Sequence, residues 1–205
     1  MTKIAILGWG SLLWDDRPEF HWFDATLEGG ADGWHTDGPS LKLEFSRVSV
    51  ETRARALTLV LDYEHGWACN VAYAVSKRQA VEDARCDLRC REGTLLKRIG
   101  LWKRGDECTT AHQEAWEAID GWAKDRFDAV VWTDLKSNFP DKSHFPGKTD
   151  QNREFTVENA IAHLKHLDER GKAMAAAYIW RAPPFVVTRL RTEIESVTDW
   201  PRRVD

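Results

Sequence analysis

A short glycine-rich segment after the first apolar run is the first place where the sequence indicates chemistry. Residues 3–7 predict a strand, and Gly8-Trp9-Gly10-Ser11 follows them directly. Because glycine has no Cβ atom, the backbone there can turn several N–H groups towards one ligand, and such a cluster binds a carboxylate or a developing oxyanion. The segment therefore predicts an anion-binding turn. An ordinary strand-to-loop turn is the alternative.

Three other uses of glycine-rich segments do not fit these residues. The third glycine and the following helix of a dinucleotide-binding fingerprint are missing, and so is the Gly-Lys-Ser/Thr of a phosphate-binding loop. Ser11 also lacks the Gly-x-Ser-x-Gly context of an activated nucleophile, and no base is indicated for it. The segment is therefore interpreted as a binding element that acts through its backbone amides.

A glutamate at the end of a predicted helix is the second candidate. Residues 77–92 carry apolar side chains at helical spacing, a capping-box pattern occupies residues 76–79, and Gly93 is expected to end the helix. Glu92 would then lie at the negative end of the helix dipole, which disfavours its charged form and suits a general base. Arg91 acts in the opposite direction, since a nearby cation favours the carboxylate. A solvated glutamate at a charged helix end is the alternative.

Arg47 is the third candidate. It follows the core of a strand predicted at residues 41–46, and its forked guanidinium group would suit a substrate carboxylate. An exposed arginine in a run that also contains Arg53 and Arg55 is the alternative.

No metal site or cofactor is predicted. The cysteines contain no Cys-x-x-Cys pair, and no histidine is tied to them by a ligand spacing. They are interpreted as free thiols in a reducing cytosol, and they are Cys69, Cys86, Cys90 and Cys108.

The elements that must position the candidate residues follow an order typical of an α+β fold. In the first half, one strand, a long irregular loop, three strands, one helix and a further strand succeed one another. Because no helix separates successive strands, a doubly wound parallel sheet is excluded. The order predicts a small closed or strongly curved, mainly antiparallel sheet with a packed helix. Residues 56–63 and 68–75 are predicted to form a β-hairpin or adjacent strands.

The second half of the chain is predicted to be more helical. A helix around Ile119, a strand at residues 129–133 and a long polar loop at residues 134–152 are expected. Two helices should follow, the first of them amphipathic, and the Pro183-Pro184 pair should end the second.

Composition and charge restrict the classes of function. With 205 residues, 42% of them hydrophobic, the chain is predicted to be a single domain over residues 1–205, with its core in residues 1–105 and a helical C-terminal elaboration in residues 106–205. A net charge of −4 gives no broad electrostatic footprint for nucleic acid. No apolar run reaches about eighteen residues, so no membrane span is predicted and a cytoplasmic location is expected.

Four short motifs follow one another within residues 3–103. They are LGWGSLLW at residues 7–14, Thr58-Leu59-Val60 followed by Asp62, Asn70-Val71-Ala72-Tyr73, and Leu88-Arg89-Cys90-Arg91-Glu92-Gly93. In these motifs the chain resembles the γ-glutamylcyclotransferase superfamily, and within it the glutathione-directed ChaC branch. That branch has a strand ending in a pattern like FGYGSLIW, a Thr-Leu-Val strand with an acidic turn, a Gly-Val-Ala-Tyr strand and a helix ending in Leu-x-x-Arg-Glu, in the same order.

The resemblance implies a small closed β-barrel with flanking helices and an enzyme that needs no metal or other cofactor. It implies that the backbone of Gly10, Ser11 and Leu12 binds the γ-glutamyl head group, beside Trp9, and that Glu92 is the general acid/base. The implied reaction cyclises a γ-glutamyl compound to 5-oxoproline and releases an amine or an amino acid. A catalytically inactive binding or regulatory module of the same fold, recognising a γ-glutamyl compound or another carboxylate, is the alternative.

This chain departs from the pattern of the branch at three places. Trp9 replaces the usual tyrosine, Asn70 replaces a glycine, and only Gly93-Thr94 stands where Gly-Gly-Tyr often follows the glutamate. The first change is expected to reshape the pocket, and the last to alter which leaving group fits.

Overall fold

The computed structural model describes residues 2–107, 112–139, 154–197 and 200. Cys108 and most of the loop predicted at residues 134–152 lie outside these ranges. The described residues have an α+β fold, as predicted. The strands are β1 Ile4–Gly8, β2 Ser40–Val48, β3 Leu57–Leu61, β4 Trp67–Asn70, β5 Ala72–Ser76, β6 Ile99–Lys103 and β7 Ala129–Thr133. The helices are α1 His21–Asp24, α2 Val81–Glu92, α3 Gln113–Ala123, α4 Val157–His166, α5 Glu169–Trp180 and α6 Arg189–Ile194.

Four strands form a mixed sheet in the order β5-β1-β7-β6. β1 is antiparallel to β5, with Ile4 opposite Ser76 and Gly8 opposite Ala72, and it is parallel to β7. β6 and β7 are antiparallel. All five residues of β1 are buried, which explains why the strand reads as an uninterrupted apolar run rather than an alternating one.

The other three strands form an antiparallel sheet in the order β3-β2-β4. The prediction that residues 56–63 and 68–75 form a hairpin or adjacent strands is therefore wrong, because β2 lies between β3 and β4, and the second segment splits into β4 and β5. The turn after β3 passes close to β2. A Cβ atom on Gly66 would come within 2.8 Å of the Leu43 nitrogen, so a glycine is needed for the chain to cross there.

A closed barrel is not detected among the described residues, because the strands are divided between two sheets. The outer edge of β5 is covered by the loop before β2 instead of by another full strand. Along this edge Glu28 donates its N–H to the Val75 carbonyl at 2.8 Å, and Gly38 donates to the Val71 carbonyl at 3.1 Å. The loop thereby satisfies backbone groups that an open sheet edge would expose.

The chain divides into two compact units, and the division falls within β2 and β4. Unit 1 comprises residues 1–41 and 69–135, and unit 2 comprises residues 42–68 and 136–205. Each unit has its own apolar cluster: Ile4, Ile6 and Leu88 are among the buried members in unit 1, and Phe45 and Leu164 are among those in unit 2. The organisation as a single domain stays a prediction.

Helix α2, which carries Glu92, starts later than predicted. Its first residue is Val81, and the preceding Ala80 makes no side-chain capping hydrogen bond. The predicted capping box is wrong because Ser76 ends β5, where its hydroxyl oxygen accepts a hydrogen bond from the Arg78 N–H at 3.1 Å. The predicted end of the helix, at Glu92 before Gly93, is confirmed.

A buried carboxylate holds the last helix of unit 2 against β2. Glu44 has no exposed surface, and it accepts hydrogen bonds from the N–H groups of Phe45 at 2.8 Å and of Arg189 at 3.0 Å. Burial raises its pKa to about 7, although hydrogen bonds from Phe45, the Thr188 side chain and the first amides of α6 oppose the rise. A titratable group is thus among the contacts that hold α6, together with the buried side chains of Leu190 and Ile194.

Within the described ranges, no helix combines the length and the hydropathy needed to cross a membrane.

Candidate functional site

The segment after β1 folds into a single helical turn. The Leu13 N–H donates to the Gly10 carbonyl at 3.0 Å, and the Asp15 N–H donates to the Ser11 carbonyl at 2.9 Å. In a turn of this kind the carbonyls accept hydrogen bonds, whereas the first N–H groups have no partners, as at the start of any helix. Accordingly, in the described part of the chain no hydrogen bond takes the N–H of Gly10, Ser11 or Leu12.

These three amides are consecutive and belong to the residues that the sequence singled out. Gly10 and Ser11 are half-buried, so the edge of the turn stays accessible, whereas Leu12 is only 9% exposed. Adjacent N–H groups at the start of a helical turn concentrate positive potential, which favours a carboxylate or an oxyanion. Three consecutive amides of this turn are thus without an acceptor in the described part of the chain, and their role in binding an anion stays a prediction.

Two side chains anchor this turn in the core of unit 1. Leu12 belongs to the same apolar cluster as Ala84 and Leu88 of α2. Trp9, the residue before Gly10, is 6% exposed, so its ring is mostly buried. The turn is thus fixed by apolar packing on both β1 and α2.

The end of α2 is fixed by a Schellman motif. The Gly93 N–H donates to the Cys90 carbonyl and the Thr94 N–H donates to the Arg89 carbonyl, both at 3.2 Å. Gly93 has a φ of 60°, a left-handed conformation that glycine adopts at little cost. Glu92 is the last helical residue before it and is half-buried.

Arg91 connects the end of α2 to the turn. Its side chain is 5% exposed, and its Nη2 atom donates to the carbonyls of Ser11 at 3.2 Å and Asp15 at 3.4 Å. The guanidinium carbon lies 3.6 Å from the centre of the Phe20 ring, a close cation–π contact. The residue next to Glu92 is therefore bonded directly to the predicted anion-binding turn.

The charges around Arg91 partly compensate its burial. Desolvation lowers the pKa of Arg91, and the nearby carboxylates of Glu92, Asp15 and Asp24 oppose that change. An arginine remains charged under any physiological condition. The guanidinium group therefore contributes a permanent positive charge beside Glu92 and the turn.

Asp15 lies at the end of the turn and forms an ion pair with Arg17. Arg17 binds it with two parallel hydrogen bonds, from Nε at 2.7 Å and from Nη2 at 2.8 Å. Burial acts to raise the pKa of Asp15, but these bonds and the charges of Arg17 and Arg91 outweigh it and lower the pKa overall. Asp15 is thereby kept as a paired, charged carboxylate.

Arg47 lies in unit 2, whereas the turn and Glu92 lie in unit 1. It is the penultimate residue of β2, and its Nη1 atom donates to the Lys136 carbonyl at 2.8 Å. Its role as a ligand of a substrate carboxylate stays a prediction.

No group of three metal-ligating side chains is present in the ranges that the structure describes. Cys69, Cys86 and Cys90 form no disulfide within the described ranges. His163 is buried, and its Nε2 atom is 2.8 Å from the Arg55 carbonyl oxygen. None of these groups adds a ligand to the site in unit 1.

The sequence missed the structural partners of the two candidate motifs. The sequence pattern gives Arg91 a role only through its charge, and it does not mark Phe20 or Asp15. The adjacent positions give one weak signal. Consecutive side chains of a helix point about 100° apart, so Arg91 has to meet a different surface from Glu92. Which surface it would meet depends on contacts between residues 76 or more positions apart.

Comparison of the chain with models of known protein families, with curated proteins and with solved structures finds no match.

Proposed function

We propose that this chain is an enzyme of the γ-glutamylcyclotransferase type, which converts a γ-glutamyl compound to 5-oxoproline and releases an amine or an amino acid. The observation that carries the proposal is the set of three consecutive backbone N–H groups, at Gly10, Ser11 and Leu12, beside the helix end that bears Glu92. Arg91 joins the two directly through its hydrogen bond to Ser11.

The reaction is an intramolecular acyl transfer. The α-amino nitrogen of the substrate attacks the γ-carbonyl carbon and forms the C–N bond of a five-membered lactam. The bond between that carbon and the leaving nitrogen then breaks. Because both reacting groups belong to one molecule, the enzyme has to hold the bent conformer and move protons. No redox step is involved.

Glu92 is the proposed proton carrier. Its carboxylate takes the proton that the α-ammonium group loses as it becomes the nucleophile, and it returns a proton to the leaving nitrogen. Glu92 is half-buried, and partial access to solvent suits a group that both takes and returns a proton. A general acid/base in this position typically contributes about 10² to 10⁴ in rate.

The turn is proposed to supply the binding energy and the charge stabilisation. The amides of Gly10, Ser11 and Leu12 would hold the γ-glutamyl head group and face the oxygen that becomes negative as the amine attacks. Removal of one such donor typically costs about 10² to 10³ in kcat. The buried ring of Trp9 would form one wall for the head group.

The closed barrel implied by the resemblance is not needed for this chemistry. The proposed site consists of the end of β1, the turn that follows it and the last turn of α2, and all of these lie in unit 1. The proposal therefore depends on this local arrangement and on the four motifs.

A product assay tests the proposal. The purified protein is incubated with glutathione and with a panel of γ-glutamyl amino acids and γ-glutamylamines, and 5-oxoproline is measured by mass spectrometry. We expect product from at least one member of the panel. Absence of product from every member contradicts the enzymatic proposal.

The alternative function is a binding module that retains the turn but has no turnover. The same amides favour it, because they would bind a carboxylate whether or not a reaction followed. Calorimetry with the panel distinguishes the two cases. Binding without product, with equal affinity for the parent and for Glu92→Gln, supports the module.

A further inference from the structure

A buried arginine at the junction of α2 and the turn has no place in the proton transfer described above. Arg91 is only 5% exposed, although arginine is among the residues least often buried. Removing a guanidinium group from water is costly unless its donors and its charge are compensated. Compensation comes here from two carbonyls of the turn, from the Phe20 ring and from the carboxylates of Glu92, Asp15 and Asp24.

The hydrogen bond to Ser11 has a consequence on the opposite side of the same peptide group. In a trans peptide unit the carbonyl and the following N–H point in opposite directions, and no cis peptide bond occurs among the described residues. Arg91 Nη2 holds the Ser11 carbonyl at 3.2 Å. It thereby sets the direction of the Leu12 N–H, one of the three amides without an acceptor in the described part of the chain.

The same bond also makes the Leu12 N–H a stronger donor. A cation bonded to a carbonyl polarises the whole peptide group, and hydrogen bonds in series strengthen one another. The Ser11 carbonyl already accepts the Asp15 N–H at 2.9 Å, so Arg91 adds a second, charged donor to it. The stacked Phe20 ring holds the guanidinium plane in place without competing for its hydrogen bonds.

We propose that Arg91 is a positioning residue, which orients and polarises the Leu12 amide for the anionic part of the substrate and holds the Glu92 end of α2 against the turn. Its use in catalysis rests on the proposed function. Its effect on the Ser11–Leu12 peptide group belongs to the free protein and does not depend on any activity.

The variant that tests this proposal is Arg91→Lys, which keeps the positive charge but loses the planar fork that stacks on Phe20. The matched control is Arg85→Lys on the same helix. Arg85 also donates to a backbone carbonyl, that of Ile99 at 3.3 Å, and forms an ion pair with Glu82. Neither contact involves the turn.

The first readout is the NMR spectrum of the free protein, labelled with 13C and 15N. A hydrogen bond to a carbonyl moves its 13C resonance downfield, so we expect the Ser11 carbonyl resonance to move upfield in Arg91→Lys, together with a change at the Leu12 15N resonance. Arg85→Lys should leave both resonances unchanged. Unchanged Ser11 and Leu12 resonances in Arg91→Lys overturn the proposal.

The second readout is kcat/KM for 5-oxoproline formation. We expect a decrease of about 100-fold for Arg91→Lys, comparable to the loss of one oxyanion donor, and no change for Arg85→Lys. A parent-like rate in Arg91→Lys overturns the positioning role in catalysis. If the parent itself forms no product, the proposed function fails, and the carbonyl resonance still decides whether Arg91 positions the turn.

A second variant covers the case in which Arg91→Lys does not fold. Phe20→Leu removes the ring that stacks on the guanidinium group and leaves the two hydrogen-bonding partners in place, and Phe20 itself is half-buried. We expect a smaller upfield movement of the Ser11 carbonyl resonance and a decrease in kcat/KM of about 10-fold, since the cation–π contact contributes less than the donor itself. Parent values for both quantities contradict the proposal.

Discussion

Ser11 separates the two ways in which the turn could act, through its backbone or through its hydroxyl group. In Ser11→Pro the N–H is lost, and proline is well tolerated in the first turn of a helix because that N–H has no helical partner. We expect Ser11→Pro to fold and to lose about 10² to 10³ in kcat/KM, as for the loss of one oxyanion donor. The measurement is the rate of 5-oxoproline formation on the best substrate of the panel.

Ser11→Ala is the control for that substitution, because it keeps the amide and removes only the hydroxyl group. It should retain most of the parent rate. A Ser11→Ala variant that is as inactive as Ser11→Pro would contradict a backbone role and would point to the side chain. The unfolding temperature of each variant shows whether the turn still forms.

The surroundings of Glu92 could be predicted from the sequence only in part. Arg91 is adjacent to Glu92 in the sequence, so its electrostatic influence could be predicted. Its hydrogen bond to Ser11 could not be, because the two residues are 80 positions apart and meet only when α2 packs on the end of β1. Phe20, which stacks on the guanidinium group, gave no signal of its own.

The glycine that ends α2 is tested by its replacement with alanine. Gly93 adopts a left-handed conformation with a φ of 60°, which costs an L-residue about 1 to 2 kcal/mol. We expect Gly93→Ala to lower the free energy of unfolding by about that amount and to lower kcat/KM, since Glu92 directly precedes the motif. Urea denaturation and the product assay measure the two effects.

Gly121→Ala is the matched control, and the opposite sign is expected for it. Gly121 lies inside α3, and no atom lies within 4 Å of the position where its Cβ would be. Alanine should therefore stabilise the helix by about 0.5 to 1 kcal/mol without affecting the rate. A destabilised Gly121→Ala, or a Gly93→Ala as stable as the parent, would show that the local backbone account is wrong.

Local patterns predicted the elements better than their pairing. The strand at residues 129–133 and the end of α2 at Gly93 are confirmed, because a short apolar run with β-branched residues and a C-terminal glycine are local signals. The capping box at Ser76 failed because a serine at a strand end satisfies its hydroxyl group within the turn. The hairpin failed because β2 lies between β3 and β4, and the separation of two strands in the sequence does not encode which strands pair.

For the whole molecule, Glu44 makes stability depend on pH. Its pKa is raised from 4.5 to about 7 in the folded state, so the folded chain binds the proton more tightly than the unfolded chain does. The contribution of Glu44 to the free energy of unfolding is fully present below pH 4.5, and it is lost as the pH rises through about 7. The loss is on the order of 3 kcal/mol, since each unit of pKa difference corresponds to about 1.4 kcal/mol.

Urea denaturation between pH 5 and pH 8 measures that dependence. We expect the parent to become less stable over this interval, and Glu44→Gln to lose most of the decrease because its side chain does not titrate. Glu51→Gln is the control, since Glu51 is an exposed glutamate of the same unit with 87% of its side chain accessible. The assignment to Glu44 fails if Glu44→Gln shows the same pH dependence as the parent.

The α+β class followed from the order of elements, and Arg91 at the end of α2 contacts the turn at Ser11. The division of the strands between two sheets did not follow, because β1 pairs in parallel with β7, which lies more than a hundred residues further along the chain. The apolar runs of β1 and β7 mark both strands as buried, but they do not say which strand pairs with which.

The most direct measurement of the central claim is the rate of 5-oxoproline formation by Glu92→Gln, set against the parent and against Glu82→Gln. Glu82 is an exposed glutamate in the first turn of the same helix, so its substitution makes the same chemical change away from the site. We predict that Glu92→Gln lowers kcat by about 10² to 10⁴ and that Glu82→Gln leaves it unchanged. A Glu92→Gln variant that keeps most of the parent rate would contradict the assignment of Glu92 as the proton carrier.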